Sequence, residues 1–335
     1  MRLLVCSLAV AFATVATTPA HASCQIENIT EIPVEFANNR LLAKGVIDGH
    51  VVRVLLDTGA NLSLIWRPAA ERLGLRLVSG PRGVRMYGLG GESRVDGAFV
   101  GELRVAGFTL KDLRLPVAGD LPSGLDFILA EDYLSRTSVE FDLQHHAVRT
   151  LDTVGCTTEQ LPYWAKTYSM ADLIASPRDA LAIRVDVLLN GHVVRAQIDS
   201  GAAFSVVSKS MADRIGAHYV SAGVALAGIG RGSLEMWIAD VQTFTLGDET
   251  IHNTQLRVAQ LGKLGTTQRI GSRIPVAAVS GPNMLLGLDF LRAHRVLIDN
   301  TTRKMVFTYE GGPVFQINNP AESGAAQPPH DTTHP

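Results

Sequence analysis

One segment of this chain is written twice. Residues 49–60 read GHVVRVLLDTGA, and residues 191–202, 142 positions further on, read GHVVRAQIDSGA. Each copy is an apolar run that ends in Asp, a hydroxyl residue, Gly and Ala. An internal repeat constrains architecture before any local propensity does, because both copies must fold alike. A carboxylate at the end of a buried strand is costly to ionise. Two of them in duplicated lobes imply a pair that meets on a two-fold axis and shares a proton.

The likeness continues in the same order along both halves. LLDTGANLSLI at 55–65 matches QIDSGAAFSVV at 197–207, and MYGLGGE around Tyr87 matches LAGIGRG around Ala227. LRLPV at 113–117 matches LRVAQ at 256–260, and ILAEDYL at 128–134 matches LLGLDFL at 285–291. VEFDLQHHAVRTL at 139–151 matches VLIDNTTRKMVFT at 296–308. The last blocks lie about fifteen positions further apart than the first, which places an insertion in the second copy between Leu261 and Asn283. Short β-branched runs separated by Gly-rich turns dominate both copies, so the expected class is mostly β and two-lobed. Short helices are expected at Pro68–Leu75 and Lys209–Ile215, just after each Asp motif.

The 335 residues allow two ordinary domains, and 46% hydrophobic against 19% charged residues suits a chain with a real core. A net charge of −2 gives no sign of a nucleic-acid partner. The first 22 residues read as a signal peptide: Arg2, an apolar run from Leu3 to Ala16, then Ala20-His21-Ala22 as a cleavage site. That run is short for a membrane span, and no other stretch is long and apolar enough. Export to a periplasmic or secreted location is expected. Cleavage removes Arg2 and Cys6, leaving a net charge of −3 and two cysteines, Cys24 and Cys156. In an oxidising compartment these two invite a disulfide, the alternative being two unpaired thiols.

The expected organisation is a signal peptide at 1–22 and an N-terminal lobe at 23–152. A connection at 153–180 leads to a C-terminal lobe at 181–312 and a disordered tail at 313–335. Asp57 and Asp199 are the candidate catalytic pair. Two carboxylates near contact hold one proton between them. One then serves as general base on a water while the other donates to a carbonyl oxygen. Gly59 and Gly201 let the chain turn where a Cβ would collide, and the hydroxyls of Thr58 and Ser200 brace the loops.

LLDTGA and QIDSGA, each with a downstream apolar-apolar-Ala/Gly element, resemble the aspartic peptidases. Within that superfamily the chain is most similar to retropepsin-like enzymes, duplicated in one polypeptide as in pepsins, over residues 30–310. The resemblance implies an acid-protease β-barrel fold with a cleft between the lobes, and Asp57 and Asp199 as catalytic residues. Thr58, Gly59, Ser200 and Gly201 would support them, with 128–130 and 285–287 as strands behind the loops. It implies an extended peptide or protein substrate, no cofactor and no metal. Duplication removes the need to dimerise, so a monomer is expected. The Gly-rich turns at Tyr87, Gly88 and Gly90, and at Gly228 and Gly230, stand where the family carries a hairpin flap.

Three features depart from the family. Ala130 replaces the usual Gly that the second copy keeps as Gly287. Ala60 and Ala202 replace a hydroxyl residue that donates to the carboxylate in many pepsins. Loss of a donor to the ionised form raises the pair's pKa, so activity is expected at mildly acidic to near-neutral pH. The His145-His146 pair has no metal-ligand spacing, and Ser63, Ser205 and Ser208 lack a nucleophile-elbow setting. Asp132 and Asp289 are read as caps or braces of short helices, and Asp142 and Asp299 as strand ends entering turns. The alternatives to an endopeptidase are a catalytically silent peptide-binding protein and a regulatory peptidase with a single target.

Overall fold

In both copies the Gly-His-Val-Val-Arg segment opens an inner strand whose burial alternates and then becomes continuous toward the Asp. Strands His50–Leu56 and His192–Ile198 share one burial pattern, exposed at the start and closed over the last three residues. Period-two alternation gives way to full burial where a second strand covers the outer face. The computed structural model describes residues 24–80, 84–88, 91–119, 124–174, 182–227, 233–262, 268–269, 282–315 and 317.

The first lobe is an eight-stranded sheet that contains His50–Leu56, Phe127–Leu129, Leu64–Trp66, Phe108–Ala118 and Asp96–Val105 as successive neighbours. Pairing of Arg40–Ile47 with Asp96–Val105 curls it toward closure. The second lobe repeats the plan with seven strands, closed by Arg184–Leu189 on Ser233–Leu246. The hairpins that lead into the Asp strands turn on Asp48-Gly49 and Asn190-Gly191, all four residues having positive φ. That is the turn geometry which suits the twist of a two-residue hairpin. Helices Arg67–Arg72 and Lys209–Arg214 follow the Asp loops, as expected from the sequence.

A third sheet of six strands takes members from both copies. Its order is Gln25–Pro33, Ala147–Val154, Ser138–Asp142, His294–Asp299, Lys304–Tyr309 and Ser169–Asp172. At its centre Ser138–Asp142 and His294–Asp299 run antiparallel, with Val139, Glu140 and Phe141 opposite Ile298, Leu297 and Val296. Glu140 is fully buried and is bonded by Arg149 at 2.6 Å and Arg295 at 2.8 Å. The Tyr163 hydroxyl also donates to Glu140. Asp142 and Asp299 do close their strands, Asp299 accepting from Ser138, Thr153 and Thr302. One hydrophobic cluster runs through both lobes.

Four expectations are revised or extended. The connection expected at 153–180 contributes a strand of its own: Ser169–Asp172 pairs with Lys304–Tyr309 in the six-stranded sheet. The tail expected to be disordered from 313 starts with ordered packing. Phe315 is buried, with its ring 4.8 Å from that of Phe244 and stacked on Phe290. Residue 316 and residues 318–335 lie outside the described residues.

The match of LRLPV with LRVAQ is displaced by two residues. Val117 pairs with Ile65, and Val258 with Val207, so Leu115-Pro116-Val117-Ala118 corresponds to Leu256-Arg257-Val258-Ala259. A shift of two leaves every side chain on the same face of a strand, so alternation alone does not detect it. The insertion inferred in the second copy reaches the first lobe: Gln268–Arg269 pairs antiparallel with Val84–Arg85.

Candidate active site

The two Asp loops are held from behind in the same way. Strand Phe127–Leu129 lies parallel to His50–Leu56 and antiparallel to Leu64–Trp66, and Met284–Leu286 does the same in the second copy. The Asp57 N–H donates to Leu129 O, and the Asp199 N–H to Leu286 O, both at 2.9 Å. Each Asp is thus fixed at the point where its strand leaves the sheet.

The side chains follow the same symmetry. Asp57 Oδ1 accepts from the N–H groups of Gly59 at 2.9 Å and Ala60 at 3.0 Å. Asp199 Oδ1 accepts from Gly201 at 3.0 Å and Ala202 at 2.9 Å. The two carboxyl groups lie within hydrogen-bonding reach of each other. Burial pushes both pKa values up, and the Asp57 charge adds to the rise at Asp199. The backbone donors oppose the rise without cancelling it. Ala60 and Ala202 add no side-chain hydroxyl to them. Two carboxyls that meet under these conditions hold one proton as a pair.

Gly59 and Gly201 lie in the turns that follow the two Asp residues, and the collision that a Cβ would make there is with the opposite lobe. Neither has a left-handed backbone. A Cβ on Gly59 would stand 2.2 Å from the Asp199 carboxyl carbon, and one on Gly201 would stand 2.4 Å from that of Asp57. Each glycine therefore gives room to the carboxylate of the opposite lobe.

Thr58 and Ser200 brace across the lobe boundary rather than within their own loops. The Thr58 N–H donates to Ser200 Oγ at 3.1 Å, and the Ser200 N–H to Thr58 Oγ1 at 3.0 Å. The Thr58 hydroxyl continues to Ile198 O at 3.0 Å, and that of Ser200 to Leu56 O at 2.7 Å. Both residues are fully buried. Four bonds shut away from water lock the two loops to one another.

Several contributors were not legible as such in the sequence. Ser63 Oγ donates to Asp132 Oδ1 at 2.6 Å and accepts from the Ala130 N–H at 2.9 Å. Ser205, Asp289 and Gly287 repeat this at 2.6 and 2.9 Å. Asp132 and Asp289 are therefore braces between the Asp loop and the strand behind it; the helices they belong to have no side-chain cap. The signal that could have exposed them is the repeat itself, which places Ser and Asp at matching positions in both copies. Ala130 is absorbed: its N–H bonds Ser63 as the Gly287 N–H bonds Ser205, and the next residue bonds the Asp loop in both lobes. Gln197 departs from the symmetry. Its side chain occupies the place of Leu55 and donates to Gly59 O at 2.8 Å.

Among the flap candidates, Tyr87 and Gly88 lie on strand Val84–Gly88, which forms a hairpin with Gly91–Arg94. Gly90, Gly228 and Gly230 lie outside the described residues. Cys24 and Cys156 are joined by a disulfide, tying the start of strand Gln25–Pro33 to the end of its partner strand. Among the described residues no group of three His, Cys, Asp or Glu side chains is placed to hold a metal ion. No described helix is long and apolar enough to cross a membrane. A cavity of about 690 Å³ lies against Asp240–Gln242, Ile251–Gln255 and Pro313–Phe315, and neither Asp57 nor Asp199 lines it.

Comparison with protein families agrees with this geometry. The family described as aspartyl protease matches residues 43–132, and that described as gag-polyprotein putative aspartyl protease matches residues 185–293. No curated protein matches the chain. The two matches each include one Asp loop and the strand behind it, and together they cover more than half of the sequence. The chain belongs to the aspartyl protease superfamily and carries two retropepsin-like domains in one polypeptide.

Proposed function

We propose that the chain is an aspartic endopeptidase in which Asp57 and Asp199 hydrolyse peptide bonds through an activated water. The observation that carries this reading is the facing pair of carboxyls, each held by two equivalent backbone donors. The ionised member takes a proton from water as the water attacks the scissile carbonyl. The protonated member gives its proton to the carbonyl oxygen. The amine then leaves with the proton gained from water, and no covalent intermediate forms. The cross-lobe bonds of Thr58 and Ser200 keep the two carboxyls in one geometry through these steps, so little reorganisation is needed.

The substrate would be an extended peptide between the lobes, held partly by backbone bonds to the hairpin of Val84–Gly88 and Gly91–Arg94. Tyr87, Gly88 and Gly90, with Gly228 and Gly230 opposite, would form the flaps. In the same reading residues 23–152 and 181–312 are the lobes, and residues 1–22 are removed on export to the periplasm or exterior. The disulfide between Cys24 and Cys156 supports an oxidising destination. The mature chain would act as a monomer. The rival reading, a silent peptide-binding protein, would be favoured by a distorted loop at Ala130, and the bonds around that residue match those at Gly287.

The test is cleavage of a mixed peptide library by the chain from Ser23, at pH values from acid to neutral, beside Asp57→Asn and Asp199→Asn. Cleavage lost in both variants supports the reading. Binding without cleavage in the folded wild type, unchanged in the variants, would replace it with the binding protein.

A further inference from the structure

Glu131 follows Ala130 and is the first residue of helix Glu131–Leu134. Its backbone N–H donates to Ala60 O at 3.1 Å, so it is fastened to the loop that carries Asp57. Its side chain is fully buried, and neither carboxyl oxygen has a hydrogen-bond partner among the described residues. The second copy places Leu288 there, also buried, with its N–H bonded to Ala202 O at 2.9 Å. A leucine therefore satisfies the packing at this position, and the glutamate brings something other than volume.

The charged groups that act on Glu131 are Asp57 from the Asp loop and Asp132 from its own helix. Both are acidic. Burial first, and then these two neighbours, push its pKa well above the ordinary glutamate range. A buried carboxylate without a partner is strongly unfavourable, so the group stays neutral while the loop is closed.

We propose that Glu131 is a proton-linked positioning residue for the first-lobe half of the pair: as the neutral acid it lets the Asp57–Ala60 loop close on the helix behind it, and as the carboxylate it favours the opened loop. The response belongs to one lobe, since Leu288 cannot ionise. For catalysis its consequence rests on the peptidase reading: rising pH would disable the pair from the Asp57 side. Its test does not need that reading.

The sign follows from linkage. An open loop exposes Glu131 to water and lets it ionise in the ordinary glutamate range, whereas the closed loop keeps the proton. Closure is therefore fully favoured below that range and weakens as pH rises toward the raised value.

The experiment compares hydrogen exchange of residues 57–63 in the wild type, Glu131→Leu and Glu131→Gln over a pH series, corrected for intrinsic rates. Taking the ratio to wild type at each pH removes the part of the Asp57, Asp132 and Asp199 titrations that does not depend on Glu131. Wild-type protection is expected to fall relative to both variants as pH rises above the ordinary glutamate range, by up to about tenfold per pH unit. The slope of the ratio is the readout, since a purely structural contact would shift it by a constant factor. A ratio independent of pH in both variants overturns the proposal, whether or not any of the three proteins cleaves peptide.

Discussion

The side-chain amide of Gln197 donates across the lobe boundary to the carbonyl oxygen of Gly59 at 2.8 Å. The equivalent residue in the first copy is Leu55, which cannot donate, so the tether runs in one direction only. Gln197→Leu installs the residue that the other lobe already uses. It is expected to fold, to lose about 1 kcal/mol of stability, and to lower kcat by roughly tenfold or less as the Asp57 loop loosens. Chemical unfolding with steady-state kinetics checks this; a rise in KM with kcat untouched would mean that Gln197 contacts substrate instead of holding the loop.

The glycines that make room across the pair should tolerate no side chain. Gly59→Ala and Gly201→Ala each place a methyl inside the opposing carboxylate. Either substitution is expected to separate the two carboxyls and to reduce kcat by about 100-fold or more, because misplacement of reacting groups by an ångström has that scale. Circular dichroism confirming folded protein beside the kinetic measurement separates this effect from simple unfolding.

A paired substitution tests whether Ala130 is truly accommodated. A Cβ on Gly287 would stand 2.5 and 2.6 Å from the backbone C and O of Phe204, and neither atom can turn aside. Gly287→Ala is expected to destabilise by about 1–3 kcal/mol, as overpacking does. Ala130→Gly should change activity little. Ser63→Ala and Ser205→Ala should each cost about 1–3 kcal/mol, since each strands a buried N–H and leaves an Asp carboxylate with its backbone donors but without that hydroxyl donor. Thermal unfolding of the four variants gives the ranking.

The pair should also show itself in stability. Asp199 has its pKa raised on folding by burial and by the charge of Asp57. Its unfolded value lies near the ordinary 3.8. The contribution of Asp199 to stability is therefore fully present below about pH 4 and is lost as pH rises through the raised value. Asp199→Asn cannot lose that proton, so it should become more stable than wild type by about 1.4 kcal/mol for each pH unit of the rise. Urea unfolding at acid and neutral pH reads the difference, which should vanish in acid.

What the sequence made legible was whatever the two copies share. The apolar run into Asp57 and Asp199 and the order of the later blocks follow from repeated residues. Ser63 and Asp132 are repeated too, but their bond joins residues 69 positions apart, and no local pattern announces it. The direction of the Thr58 and Ser200 bonds was hidden for a related reason: a hydroxyl beside an Asp suits a local brace equally well. Glu131 and Gln197 escaped because a repeat draws the eye to identity, and these are positions where the copies disagree. The two-residue displacement at Leu115 and Leu256 shows the limit of strand alternation as a guide.

The central pairing of Ser138–Asp142 with His294–Asp299 has a consequence for descent. Glu140 and Leu297 stand opposite one another there and are counterparts in the two copies, so the pseudo-symmetry axis passes between them. A homodimer of one such lobe would have to set identical residues face to face at that point, and two buried glutamates would repel. Joining the copies in one gene lifts that restriction. One side keeps a carboxylate served by Arg149 and Arg295 while the other becomes leucine. The same release from identity permits Glu131 against Leu288 and Gln197 against Leu55. Fusion thus lets two lobes of one plan give their aspartates different neighbours.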